Sequence, residues 1–313
     1  MRYAEAMQGD SEALYGAIEA GGTKFVCAIA DARGNILKER RFPTADPEAT
    51  LQTAARFLRA ANDRSRPLAA IGIASFGPVH LRRDSHSYGC IGKTPKAGWS
   101  GTDMVGALAQ EFSCPIGFDT DVNAAALAEH RWGAARGIDS MVYVTIGTGI
   151  GGGVITRGAP IHGLMHPEIG HIHPRRHPLD QDFAGICPFH GDCLEGLASG
   201  PAIVARSGRE FQEIGPSHPQ WEIEADYLGQ LCAHLVVTVS PQRIVLGGGV
   251  MNQAELLPAI RGRLLHWLGG YVDRAEILDA IDEYVVPPAL QAQSGVLGAV
   301  LLAMDASMRF NAK

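Results

Sequence analysis

Between residues 14 and 44 the chain alternates short apolar runs with glycine and asparagine: LYGAIEA, GG, TKFVCAIAD, ARGN, ILKERRFPT. Runs of this length, punctuated by residues that tolerate positive φ, predict strand, tight turn, strand, turn, strand. Residues 140–162, SMVYVTIGTGIGGGVITRGAPIH, repeat the order, with Gly147-Thr148-Gly149 at the first turn and Arg157-Gly158 at the second. Thr23 to Arg33 spans 10 positions and Thr148 to Arg157 spans 9. Two such segments predict an internal duplication.

Between the copies the pattern predicts an amphipathic helix over about 47–63, a buried strand at Ala69–Ser75, a helix near 101–112 and a strand at Pro115–Phe118. Asp119 to Glu129 then turn into an alanine-rich helix. The second half predicts helices near 199–213 and 221–239, a strand at Arg243–Leu246, helices near 253–269 and 273–280, and a final helix from Ser294. Strands alternating with helices on this scale mean α/β layers, and a cleft between two such layers is the natural ligand site.

Composition narrows the class. At 313 residues, 46% hydrophobic and 19% charged, the chain has material for two globular domains. A formal charge of −6 argues against nucleic acid or an anionic membrane as partner. No run of 18 apolar residues is present to span a bilayer, and the opening MRYAEAMQGDSEA lacks the apolar core of a secretory signal and reads as a frayed tail. Cys27, Cys90, Cys114 and Cys232 lie scattered and read as reduced thiols in or near the core, which points to the cytoplasm.

Three glycine turns could expose backbone N–H groups to phosphate oxygens. They are Gly21-Gly22-Thr23-Lys24, Gly147-Thr148-Gly149, and Gly247-Gly248-Gly249 after the apolar run RIVL. GCIGKT at 89–94 is not a P-loop: its first glycine is too close to the Gly-Lys-Thr, and Pro95 stands where a helix should continue. Asp121, where strand gives way to helix, suits a general base for a hydroxyl attacking a phosphoryl group. Its position equally suits a helix N-cap. Glu168 and Glu195 flank a segment that crowds His166, His171, His173, His177 and His190 together with Cys187 and Cys193. Cys187-x2-His190-x2-Cys193 offers three soft or borderline ligands, and an upstream histidine can complete a tetrahedron for Zn²⁺. Four protein ligands leave no place for an activated water, so the metal would be structural.

IEAGGTKF, DTDVNAAALAEHRWGAARG, VTIGTGIGGG, HPEIGH, CPFHGDCLEGLASGPAI, VLGGGVMN and SGVLGAVLLA together resemble the ROK sugar kinases, within them the zinc-containing bacterial fructokinases, in order from about residue 15 to 306. The resemblance implies the duplicated actin-like, ribonuclease-H-like α/β fold, with ATP and Mg²⁺ in an interdomain cleft. It divides the chain into a tail (1–14), an N-terminal domain (15–124) and a C-terminal domain (125–293) carrying a zinc loop (166–196), with helix 294–308 packing back on the first domain. It makes Asp121 the general base, with Asn123 beside it positioning the sugar. Glu168, His171 and Glu195 would bind sugar hydroxyls, and His171, Cys187, His190 and Cys193 would hold zinc. Gly21, Gly22, Thr23, Lys24, Gly147, Thr148 and Gly149 would meet the phosphates, and Gly248 and Gly249 the adenosine end.

Two positions depart from the wider family pattern. Glu19 stands where most ROK kinases have Asp near the Mg²⁺–phosphate assembly, as in the fructokinase branch, and His190 stands in for a cysteine of the usual zinc pattern. KTPKAGWSGTD, 93–103, resembles a loop that shapes the sugar pocket, with Ala97 replacing its proline and Lys96 able to meet sugar, phosphate or solvent. His166, His173 and His177 are expected to be surface residues or to lie outside the ligand set. The activity implied is transfer of the ATP γ-phosphoryl group to the 6-hydroxyl of D-fructose, with mannose and glucose as alternative sugars. A homodimer is also implied. Sugar-responsive repressors share the fold but carry a helix-turn-helix ahead of the first glycine motif, where this chain has about 18 residues.

Overall fold

The computed structural model describes residues 13–62 and 66–312, so most of the predicted tail lies outside the described residues. The first half opens as expected with three antiparallel strands: β1 (Leu14–Ala20), β2 (Lys24–Asp31) and β3 (Ile36–Pro43). β3 reads ILKERRFP and stays exposed, a charged edge that resists pairing with other sheets. Helix α1 (Pro47–Ala61) starts where Asp46 accepts the Ala49 amide at 3.0 Å and proline takes the first helical position. β4 (Leu68–Ser75), LAAIGIAS, is buried almost throughout and lies parallel to β1. The helix expected over 101–112 is confined to α2 (Met104–Ala109), because Asp103 caps it from within that range, its Oδ1 accepting the Gly106 amide at 2.7 Å. Strand β5 (Ile116–Thr120) leads directly into α3 (Asp121–Arg131).

The second half repeats the plan. β6 (Met141–Ile146), β7 (Ile150–Thr156) and the short β8 (Ala159–Pro160) run antiparallel. Two short helices follow the histidine segment, α4 (Leu194–Ala198) and α5 (Gly200–Ser207), and then comes α6 (Gln220–Val239). β9 (Arg243–Gly247) pairs parallel with β6. The helix expected over 253–269 is α7 (Leu256–Leu268), preceded by a 3₁₀ turn at Gly249–Asn252. The one expected over 273–280 is two single turns, α8 (Ala275–Leu278) and α9 (Ile281–Tyr284), which deliver a strand the pattern did not show, β10 (Val285–Val286). Helix α10 (Ser294–Asn311) closes the chain.

The sheet orders are β3-β2-β1-β4-β5 and β8-β7-β6-β9-β10, the same path traced twice. Three cores stack in layers. One lies between the first sheet and α1 and α2, another between the second sheet and α4 to α7. The middle core is formed by α3 and α10 with Ala17 and Ala28 of one sheet and Met141 and Ile155 of the other. α10 is apolar nearly all round because both of its faces are covered. The middle layer places the start of α3, and so Asp121, between the two sheets.

Candidate active site

The chain turns from β5 into α3 because the Thr120 hydroxyl accepts the Asn123 amide at 3.0 Å. The capping role left open for Asp121 therefore belongs to Thr120, and Asp121 is the first helical residue. Its carboxylate accepts the Val122 amide at 2.9 Å. Burial pushes the Asp121 pKa up to about 7, and the neighbouring Glu19 and Glu168 carboxylates act in the same direction. Burial also raises Glu19 above the usual carboxylate range, with Lys24 and Arg41 pulling it back. Glu168 is pushed up to about 7 by burial and then by Glu195. Glu19, Asp121, Glu168 and Glu195 thus form a row in which each carboxylate feels the next.

The glycine turns border this row. At the first tip the Gly21 amide donates to Lys24 O at 3.0 Å. Thr44 braces the tip from outside, its hydroxyl donating to Gly21 O at 2.7 Å and its amide to Thr23 O at 3.0 Å. Gly22 is half-buried, while Thr23 and Lys24 are exposed. At the second tip Gly147 N donates to Gly149 O at 2.9 Å, Gly200 N donates to Gly147 O at 2.8 Å, and Thr148 is exposed. Gly248 holds φ 96° with its α-carbon pressed on β6, where a β-carbon would come 2.2 Å from Ile146 O. The loop carrying Gly248 and the exposed Gly249 therefore passes beside the second tip.

Below the row, Asn123 is fully buried, and its Nδ2 donates to Asp119 Oδ1 at 2.7 Å. It braces Asp119, whose other oxygen receives His162 Nε2 at 2.9 Å. In the 93–103 loop the buried Trp99 donates its indole N–H to Ala45 O at 3.0 Å. Lys96 is half-buried, and Lys93 sets its ammonium 5.8 Å from the Phe189 ring centroid.

His171, Cys187, His190 and Cys193 bring one ligand atom each to within 4.8 Å of one another. His171 Nδ1 lies 3.4 Å from Cys193 Sγ and 3.9 Å from Cys187 Sγ, which leaves Nε2 for any other partner. His190 Nδ1 lies 3.7 Å from Cys187 Sγ. Reciprocal backbone bonds between Cys187 and Gly191, at 3.1 and 2.9 Å, form the tight turn that aims these side chains inward. Cys193 is the N-cap position of α4, so the cluster sits on the start of the helix that carries Glu195.

Of the three histidines expected on the surface or outside the ligand set, two are buried. His166 lies behind the row; its Nε2 accepts the Val79 amide at 3.1 Å and its Nδ1 faces Glu168 at 3.4 Å. His177 is buried as well, while His173 sets its ring against His190. Glu129 is fully buried, and its two oxygens accept the amides of Ala134, Ala289 and Leu290 and the Ser294 hydroxyl at 2.7–3.0 Å. It joins α3 to the start of α10. No local motif announces such a residue, because three of its four partners are remote in sequence.

The chain is similar to known proteins along nearly its whole length. A fructokinase of Zymomonas mobilis is 45% identical over 303 residues, covering 96% of this chain and 99% of that one. A fructokinase of Pediococcus pentosaceus is 42% identical over 293 residues, covering 94% and 98%. A ROK family glucokinase from Streptomyces griseus, solved in complex with glucose and AMPPNP, superposes with a TM-score of 0.75 at 25% identity, covering 93% of this chain and 99% of that one. With two sheets of one topology, a row of carboxylates between glycine tips, and the ROK family profile matched over residues 15–306, the chain belongs to the ROK family.

Proposed function

We infer that the protein is an ATP-dependent fructokinase, transferring the γ-phosphoryl group of ATP to the 6-hydroxyl of D-fructose. End-to-end identity of 42–45% with fructokinases carries the choice of reaction. Within the site, the observation that supports it most is the place of Asp121, at the start of α3 beside a glutamate row, where burial pushes its carboxyl pKa up to about 7. A base needs a pKa close to the working pH to be ionised before the transfer and still take the proton during it.

In this reading Asp121 orients the fructose hydroxyl and receives its proton. Glu168, Glu195 and His171 Nε2 hold neighbouring hydroxyls, with Asn123 steadying the strand end beneath and Lys96 at the pocket margin. Backbone amides at Gly21–Lys24 and Gly147–Gly149 face the phosphates, and Gly248–Gly249 the adenosine end. Glu19, a hard oxygen donor, would help hold Mg²⁺, which neutralises phosphate charge when bound. The soft donor set of His171, Cys187, His190 and Cys193 fits Zn²⁺ in a closed structural site. Zinc there would fix the turn that leads into α4 and so preorganise Glu195.

The domains take the bounds 15–124 and 125–293, with α10 packing back across β1, β4 and β5. Among the described residues no helix is long and apolar enough to cross a membrane. Six free cysteines fit a cytoplasmic setting, and the expected assembly is a homodimer. A coupled assay of ADP release with fructose, glucose, mannose and N-acetylmannosamine tests the activity. Fructose should give the highest kcat/KM, and an equal or greater value for another sugar overturns the assignment.

A further inference from the structure

The loop that bears Glu168 and Glu195 has a second anchor, built from α5 and α6 rather than from the cysteine–histidine cluster. Arg206 on α5 extends beneath it with its side chain 8% exposed. Its Nε donates to Asp180 Oδ1 at 2.7 Å, and its Nη2 donates to the carbonyl of Leu197, in the last turn of α4. Tyr227 on α6 donates its hydroxyl to the other Asp180 oxygen at 2.6 Å. The guanidinium lies 4.6 Å from the Phe183 ring centroid and 5.8 Å from that of Tyr227. Arg176 draws the same loop together by donating to the carbonyls of Asp180 and Phe183. Glu224, one turn before Tyr227, is fully buried with neither oxygen hydrogen-bonded, and it shares the field of Arg206.

A five-residue helix such as α4 has little means of fixing its own direction, because most of its carbonyls are terminal. Cys193 holds its start, and Arg206 holds its end through Leu197. Glu195 lies between the two. The side chain is planar and forked, so it bonds an aspartate and a carbonyl in one plane while stacking on two rings, a combination lysine cannot reproduce.

We propose that Arg206 is a positioning residue for fructose binding, acting with Asp180 and Tyr227 to set the orientation of α4 and thereby of the Glu195 carboxylate. This rests on the reading of Glu195 as a sugar ligand. Arg206 touches neither substrate nor metal; it aims the helix.

The test compares Arg206→Met, Arg206→Lys, Tyr227→Phe and Glu195→Gln with the parent enzyme, measuring kcat, KM for fructose, KM for ATP, and bound zinc. Arg206→Met should raise KM for fructose about ten-fold or more, as loss of a partner that orients a ligand does. KM for ATP and zinc content should hold within about two-fold, and Arg206→Lys should recover only part of the loss. Tyr227→Phe, which keeps the ring and removes one bond to Asp180, should raise the same KM about three-fold. An unchanged KM for fructose in folded Arg206→Met, even at a lower melting temperature, overturns the proposal, as does a rise that accompanies loss of zinc. Should Arg206→Met fail to fold, Tyr227→Phe decides: an unchanged KM for fructose sinks the idea. Glu195→Gln isolates the underlying reading, because an unchanged KM there removes Glu195 from the sugar site whatever Arg206 does.

Discussion

Glu195 Oε2 accepts the Ile150 amide at 3.0 Å, joining α4 to the strand that leaves the second glycine tip. A β-carbon on Gly149 would come 2.6 Å from that same oxygen. The absence of a side chain at Gly149 therefore lets the carboxylate approach the tip. Gly149→Ala should push Glu195 aside and lower kcat/KM by up to about 100-fold, since an ångström of misplacement can cost that much. Steady-state kinetics with both substrates varied would show it. Wild-type kinetics would mean that the carboxylate has another stable position.

Asp121→Asn should lower kcat by about 10²–10⁴ while leaving fructose binding largely intact. Its effect on stability should have the opposite sign. Between about pH 4 and pH 7 the folded chain holds a proton on Asp121 that the unfolded chain has released, so this group makes stability fall as pH rises through that window. At pH 8 the ionised, buried carboxylate is a net cost that asparagine removes. The variant should therefore be more stable there by roughly 1–2 kcal/mol, after allowing for solvent screening of a half-buried carboxylate. Denaturant titration at pH 8 and pH 4.5 would reveal the difference, which should shrink to a minor part of its pH 8 value at the lower pH.

The same shift sets the acid limb of activity. As pH falls through about 7, Asp121 takes up a proton and kcat/KM for fructose should decline. Bound Mg²⁺ opposes the negative field of Glu19 and should move the limb toward lower pH in the nucleotide complex. Glu19→Gln removes one source of the upward shift, so its limb should also lie lower than the parent's. A limb unmoved by this change would detach Glu19 from Asp121.

On the proposed zinc assignment, metal removal should act on sugar affinity before turnover. Cys193→Ser, or chelation under reducing conditions, loosens the start of α4 and should raise KM for fructose about ten-fold. Metal content measured with KM in the same samples would link the two. Loss of zinc without a change in KM would leave the cluster as a stability device only.

Glu129→Ala leaves three part-buried amides without their acceptor and takes from the Ser294 hydroxyl one of its two, where α3 meets the start of α10. The cost should be about 3 kcal/mol or more, because each stranded donor forfeits its solvation. Thermal unfolding would show it as a lowered melting temperature. A near-neutral effect would show that water replaces the carboxylate.

What the chain encodes locally was legible in it: both three-stranded openings, the alanine-rich helix after β5, the glycine tips, and the close grouping of Cys187, His190 and Cys193. Period, turn chemistry and short-range ligand spacing are set by bonds within a dozen residues or so, and such bonds survive in any surroundings. Tertiary structure alone decided where helices had to stop, as at α2 and the broken α8–α9 pair, and that Thr120 rather than Asp121 caps α3. It also raised Asp121 to a pKa near 7 through burial and Glu19, gave Glu129 its partners, and set Arg206 beneath α4. Those properties depend on which charges and which low-dielectric surfaces converge from distant segments. Convergence of that kind has no local periodicity to leave in a sequence.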